Sequence, residues 1–145
     1  MAASPTKPET DPLHIVNLSH LAWERKLFQR PQQLATQFSQ LGDHVFYYAL
    51  IGLRRYLTME LSERVSEKGN LLAQNLPFMP LANRLNLSRS LTMALLRTKA
   101  RAPLTQAPEG RRVLWLQNPA YIDEVDRLPH DLLVYDVMDP FAEFR

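Results

Sequence analysis

The 145-residue sequence contains no cysteine, and its four glycines are scattered along the chain. Without cysteine there are no disulfide bridges, no zinc sites built on thiolates, no iron–sulfur clusters and no cysteine nucleophile. With so few and such widely spaced glycines, no phosphate-cradling loop of the GxGxxG or GxxxxGK type can form. No pair of histidines has the spacing of metal ligands, so we expect no metal site.

Long hydrophobic runs and an excess of one charge are also missing. No apolar stretch approaches the ~20 residues that cross a bilayer, and residues 1–12 lack the apolar core of a signal peptide. Seventeen basic against fifteen acidic residues leave a net charge of +2, which does not favour nucleic-acid binding. We expect a cytoplasmic protein without a nucleic-acid partner, and peripheral contact with the inner face of the membrane stays open.

The remaining composition is that of a globular domain. Hydrophobic residues make up 46% and charged residues 22% of the chain, too much apolar content for a disordered protein. Residues 1–12 carry three prolines and no apolar run, which predicts a disordered tail. We expect one domain over residues 13–145.

Short apolar segments alternate with helical patterns along this domain. The predicted strands lie at 13–18, 44–50, 112–116 and 132–136, with a hairpin or two short strands over 61–67 and 70–76. The predicted helices lie at 31–41, 85–101 and 119–128. Strands that alternate with helices predict an α/β fold, here Rossmann-like and doubly wound around a mostly parallel sheet.

Two of the helices have clear end signals. Pro31 suits the first turn of a helix, and Gly42 suits the residue that closes it. The helix over 85–101 is expected to end before Pro103 and to pack away from any strand-end site or reach toward a membrane surface. Its predicted apolar face consists of Leu87, Leu91, Leu95 and Leu96.

Polar side chains follow three predicted strands at the point where each ends: Ser19 and His20, then Asn118, then Asp136 and Asp139. Chemistry in parallel sheets collects at the carboxyl ends of the strands, so we expect these residues to converge in one cleft. His20 suits a general base, or is a solvated loop residue. The two aspartates suit a base or the binding of sugar hydroxyls, and as a pair they could share a proton; alternatively, Asp136 caps the following turn.

The loop after the first strand carries Trp23, Phe28 and Arg30. A cation beside the free amides of a helix start suits an anionic group such as phosphate or carboxylate. The alternative is that Trp23 and Phe28 pack the loop down while Arg30 pairs with a carboxylate. Both interpretations stay open from sequence.

Charge is unevenly distributed in the second half of the chain. Residues 84–112 contain seven basic side chains and one acid, Glu109, whereas residues 120–145 contain seven acids and two arginines. The distribution suits solvated helix faces. Alternatively, it suits a basic patch that contacts anionic lipid headgroups or a phosphorylated acceptor.

The motifs together resemble those of bacterial glycosyltransferases of the GT-B class. The tryptophan loop followed by RPQQLA (30–35), VLWLQNP (113–119) and VYDVMDPFAEF (134–144) are similar to the family 4-like group that includes teichuronic-acid biosynthesis glycosyltransferases. The resemblance covers nearly all of residues 13–145. It departs at Val137, where cysteine is common, and at Pro140, where aspartate is common and where this chain lacks a carboxylate.

This resemblance implies the acceptor-side, amino-terminal domain of an enzyme that moves a sugar from a nucleotide-sugar to a cell-envelope or polysaccharide acceptor. The glycan or lipid-linked acceptor would contact this domain, and the donor, a co-substrate rather than a cofactor, would bind mainly to a carboxy-terminal domain. Nothing in the chain corresponds to that second domain, so we expect a truncated chain that is inactive alone. The alternative is a non-catalytic Rossmann-like binding or interaction domain.

Candidate residues follow from the strand-end and loop positions. The candidate substrate-binding residues are Ser19, Trp23, Arg30 and Asn118. The candidate catalytic residues are His20, Asp136 and Asp139.

Overall fold

The computed structural model describes residues 10–24, 28–80 and 84–136. Most of the predicted tail, Asp139 and the 137–144 part of the last motif lie outside these residues. The strands are β1 His14–Ser19, β2 His44–Gly52, β3 Val65–Lys68, β4 Leu71–Phe78, β5 Arg112–Leu116 and β6 Leu132–Tyr135. The helices are α1 Arg30–Gln40, α2 Leu53–Thr58, α3 Leu61–Arg64 and α4 Asn86–Gln106, and Pro119–Arg127 is a 3₁₀ segment.

The six strands form one sheet in the order β3-β4-β2-β1-β5-β6. All neighbouring pairs are parallel except β3, which runs antiparallel to β4. The predicted α/β, Rossmann-like fold class is confirmed. Because β2 and β4 lie on one side of β1 while β5 and β6 lie on the other, strand order reverses between β1 and β5, the position where ligands bind in such sheets.

Helices cover both faces of the sheet. On one face, Leu18 and Leu116 pack with Leu96 and Leu104 of α4. On the other face, α1 contributes Ala35 to a core that includes Ile15, Val45, Tyr47 and Trp115. The two sets alternate along β1, as successive strand residues must, so each end of a strand offers side chains to both faces.

The hairpin prediction is confirmed in its second half and wrong in its first. Residues 61–64 form α3, and only Val65–Lys68 pairs with β4 across the turn at Gly69, whose φ is +58°. The carboxylate of Glu63 accepts a hydrogen bond from the Glu60 amide and thereby favours a helical turn. The short α2 was not predicted from sequence.

Helix α4 extends past its predicted end, to Gln106, with Pro103 inside it. A proline at this position cannot donate to the carbonyl of Lys99, four residues earlier. The hydroxyl of Tyr48 donates to that carbonyl instead, at 3.1 Å. The side chain from β2 therefore supplies the hydrogen bond that proline removes.

The buried face of α4 also differs from the prediction. Leu96 is buried, but Leu87 and Leu91 are 72% and 54% exposed. The buried side of the helix consists instead of Thr92, Leu96, Ala100, Pro103 and Leu104. In the described part of the chain, no helix is long and apolar enough to cross a membrane.

Candidate functional site

The carboxyl ends of β1, β5 and β6 lie at one edge of the sheet because these strands are parallel. Ser19, His20, Asn118 and Asp136 therefore share that edge, but of these four only His20 and Asn118 line a common cavity, so the predicted convergence in one cleft is wrong for Ser19 and Asp136. Leu18, Leu116 and Tyr135 are in register, so the next residues form a row across the sheet end: Ser19, Gln117 and Asp136. Strand alternation then divides the predicted site residues between the two faces of the sheet.

A cavity of about 520 Å³ opens at this edge on the α4 face. We call it the strand-end cavity. Its volume lies within the range of small-molecule sites. Its lining residues come from the ends of four strands, from α4 and from the 3₁₀ segment: His20, Leu50, Gly52, Phe78, Arg89, Met93, Asn118, Ala120 and Tyr121.

Asn118 and Tyr121 are held in place at the cavity. Asn118 Oδ1 accepts a hydrogen bond from the Ala120 amide at 2.9 Å and caps the 3₁₀ segment, which leaves its Nδ2 group as a donor for a ligand. The Tyr121 hydroxyl donates to the Ser19 carbonyl at 3.1 Å. Burial raises the pKa of Tyr121, so its ring is a neutral wall of the cavity.

His20 lies between the strand-end cavity and a smaller one. The smaller cavity, of about 180 Å³, is bordered by His20, Glu24, Gln32 and Arg55 among others, and Glu24 forms an ion pair with Arg55. A histidine that reaches a cavity at the reversal of strand order has the position required of a general base.

Ser19 and Trp23 lie on the other face and stabilise the loop. Ser19 is fully buried; its Oγ accepts from the Leu21 amide at 3.1 Å and hydrogen-bonds with the Tyr47 hydroxyl at 2.7 Å. The Trp23 ring packs edge-on against Tyr47, with centroids 5.0 Å apart, while Asn75 accepts from the Trp23 amide at 2.8 Å. The geometry supports packing rather than substrate binding for both residues.

Arg30 pairs with a carboxylate, which is one of the two roles that the sequence left open. Its Nη2 lies 3.3 Å from Asp136 Oδ1. Pro31 offers no N–H in the same turn, and Gln32 Oε1 accepts from the Gln29 amide at 3.0 Å, so few groups there are available to an anion. Of the two interpretations, the structure therefore supports the pairing of Arg30 with a carboxylate.

Two buried amide side chains at the strand ends were not among the predicted site residues. Asn17 and Gln117 are 0% exposed, and in the described part of the chain neither side chain has a hydrogen-bond partner. Alternation places both on the α1 face, with Ile15 and Trp115. A polar residue within or directly after a buried strand was the available sequence signal, because a buried polar side chain needs a hydrogen-bond partner or another explanation.

The charges that are segregated in sequence meet in space. Arg97 donates two hydrogen bonds to Glu124, at 2.6 and 3.0 Å, and Arg112 donates two to Asp131, at 2.9 and 2.7 Å. The hydrogen bonds from Arg112 hold the pKa of Asp131 well below its ordinary value. Part of the predicted basic patch is therefore neutralised within the fold.

The prediction that α4 packs away from the strand ends is wrong for its first turns. Although α4 covers the face opposite α1, Arg89 and Met93 line the strand-end cavity together with His20 and Asn118. In the sequence, Arg89 belongs to a basic region, and no pattern there indicates that it lines the same cavity as His20.

No group of three or more His, Asp or Glu side chains within residues 10–24, 28–80 and 84–136 is arranged to hold a metal ion. Comparisons of the chain with protein-family models, with curated proteins and with solved structures yield no match.

Proposed function

We propose that this chain is the acceptor-side domain of a GT-B glycosyltransferase, which transfers a sugar from a nucleotide-sugar to a cell-envelope or polysaccharide acceptor. The observation that carries the proposal is the strand-end cavity, where His20 and Asn118 meet beside the reversal of strand order. The order of the motifs along residues 13–145 supports the same family.

The cavity lining suits a saccharide. Phe78 and Tyr121 offer aromatic surface to the apolar side of a sugar ring, and Asn118 Nδ2 offers a donor to a hydroxyl oxygen. Sites for small polar ligands combine apolar walls with a few placed polar groups in this way.

In the proposed reaction, His20 accepts the proton of an acceptor hydroxyl. The acceptor oxygen forms a bond to the anomeric carbon of the donor sugar, and the bond from that carbon to the diphosphate oxygen breaks. The nucleoside diphosphate leaves with the electron pair. His20 is the residue of this chain that we assign to proton transfer, and Asn118 orients the acceptor.

The donor would bind mainly to a second domain, so this chain should bind saccharides but not nucleotide-sugars. A lipid-linked acceptor would bring the exposed Leu87 and Leu91 of α4 to a membrane surface.

Calorimetry on the chain tests the assignment to the acceptor side. Uridine and guanosine diphosphate sugars should give no measurable heat of binding, whereas nuclear magnetic resonance should detect weak binding of a methyl hexoside that His20→Gln changes. Tight binding of a nucleotide-sugar would overturn the acceptor-side assignment. Absence of binding for every saccharide would favour a non-catalytic interaction domain.

A further inference from the structure

Arg89 is a cation at the mouth of the strand-end cavity, and no carboxylate of the described residues forms an ion pair with it. It lies in the first turns of α4 with an exposed side chain and lines the cavity with His20 and Asn118. Among the described residues, no side chain forms an ion pair or hydrogen bond with its guanidinium. Its charge is therefore available to a ligand.

The neighbouring arginine of the same helix behaves differently. Arg97, two turns further on, is held by two hydrogen bonds from its guanidinium to Glu124. These two hydrogen bonds occupy the paired N–H donors of the guanidinium, which are the groups that bind a carboxylate or a phosphate. The corresponding N–H donors of Arg89 have no partner among the described side chains and can bind a ligand at the cavity.

Arg89 borders two depressions that differ in charge: the outer groove contains carboxylates and arginines, whereas the strand-end cavity contains Arg89 without a carboxylate among its described residues. Asp123, Glu124 and Asp126 border the outer groove between α4 and the 3₁₀ segment, which Arg89 also borders. The described residues that line the strand-end cavity include no carboxylate. In the groove the carboxylates are balanced by Arg97, Arg127 and Arg89 itself, whereas on the cavity side the charge of Arg89 meets no opposing carboxylate among the described residues and attracts an anionic ligand.

We propose that the strand-end cavity binds a saccharide that carries an anionic group, and that Arg89 binds that group. This inference rests on the proposed function and specifies the class of acceptor. The sugar ring contacts Phe78 and Tyr121, Asn118 donates to a hydroxyl, and a phosphate or carboxylate at the cavity mouth accepts hydrogen bonds from Arg89. A cavity of about 520 Å³ accommodates a sugar of this size.

Three probes and two arginine variants of the chain test the proposal by nuclear magnetic resonance titration. The probes are glucose 1-phosphate, glucuronate and uncharged methyl glucoside. Arg89→Gln removes the charge at the cavity. Arg84→Gln is the matched control, because Arg84 is an exposed arginine that does not line the cavity.

One charge-assisted contact makes the anionic sugars bind about tenfold more tightly than methyl glucoside. Arg89→Gln should remove this preference, while Arg84→Gln should leave it within about twofold. The tighter of the two anionic probes identifies phosphate or carboxylate as the group. Inorganic phosphate alone should bind far more weakly than glucose 1-phosphate, since it lacks the ring contacts.

The outcomes separate this proposal from the function on which it rests. If charged and uncharged sugars bind with equal affinity and Arg89→Gln changes neither affinity, the acceptor is not anionic. That result is compatible with the acceptor-side assignment. Equal losses in Arg89→Gln and Arg84→Gln show general charge attraction and also contradict it. Absence of binding for all three sugars contradicts both proposals.

Discussion

Arg30 and Asp136 form an ion pair that joins the first turn of α1 to the end of β6, with Nη2 and Oδ1 3.3 Å apart. The Arg30 side chain is 61% exposed, whereas that of Asp136 is 12% exposed. The loss of Arg30 would thus leave a mostly buried carboxylate without its cation. The pair connects two distant parts of the chain at the edge where the strand-end cavity lies.

We expect Arg30→Ala to lower the free energy of unfolding by about 1 kcal/mol, at the upper end for exposed ion pairs because Asp136 is mostly buried. Arg54→Ala, at an exposed arginine of α2, should change it by less than about 0.5 kcal/mol. Urea denaturation of Arg30→Ala, Asp136→Asn and the double variant measures the coupling. A coupling energy of zero would contradict the ion pair.

Tyr48→Phe should lower the free energy of unfolding by about 1 kcal/mol, because it leaves the Lys99 carbonyl without a hydrogen bond. The cost should shrink in a Pro103→Ala background, where the alanine N–H can donate to that same carbonyl. Thermal denaturation of the four variants gives the comparison. An equal cost in both backgrounds would mean that the hydroxyl does not compensate for the proline. The tyrosine donates as a neutral group at neutral pH, since burial raises its pKa to about 12.

Gln117→Met should raise the free energy of unfolding by about 1 kcal/mol, because it replaces a fully buried amide that has no partner among the described residues by an apolar side chain of similar shape. Gln32→Met is the matched control. Gln32 is equally buried, but its Oε1 accepts from Gln29 and its Nε2 donates to the Ala22 carbonyl at 3.1 Å. Chemical denaturation should show stabilisation at 117 and destabilisation at 32. Destabilisation at both positions would mean that Gln117 has partners in solution.

The fold should lose stability in mild acid through His14. Burial, together with the neighbouring His44, lowers the pKa of His14 below its ordinary value of 6.5, and the two rings lie 4.7 Å apart. The folded state thus binds fewer protons than the unfolded state, so the contribution is present above pH 6.5 and is lost as the pH falls through the lowered pKa.

Denaturation of the wild type and His14→Asn at several pH values measures this effect. The stability of the wild type relative to the variant should decrease between pH 7.5 and pH 5. A difference that stays constant over that range would contradict a lowered pKa for His14. Asp131, whose pKa is also lowered, affects stability only near and below its ordinary value of 3.8.

The alternation of strands and helices was predictable because each element has a strong local pattern. Residues 44–50 are rich in residues that favour strands, and Gly42, with a φ of +103°, closes α1 as its position indicates. Short elements were less predictable: four residues such as 61–64 fit either a helical turn or a strand. The end of α4 depended on Tyr48, which is distant in sequence from Pro103.

The candidate site was predictable only as an edge of the sheet. The parallel-sheet rule placed His20 and Asn118 correctly, because both follow strands directly. It could not show that Ser19 and Trp23 are engaged by Tyr47 and Asn75, since those partners come from other strands. Arg89 was missed for the same reason, as the packing of α4 alone brings it to His20.

The carboxyl edge of the sheet is the proposed saccharide site, and the structure supplies an internal control. A second cavity of about 500 Å³, bordered by Arg101, Arg112 and Pro129 among others, lies toward the amino ends of β5 and β6. Backbone amide shifts of the chain titrated with glucose 1-phosphate distinguish the two cavities. If the saccharide binds at the carboxyl edge, we expect perturbations at Gly52, His20, Asn118 and Ala120 and none at Arg101, Thr105 and Arg112. Perturbations confined to the latter group would contradict binding at that edge.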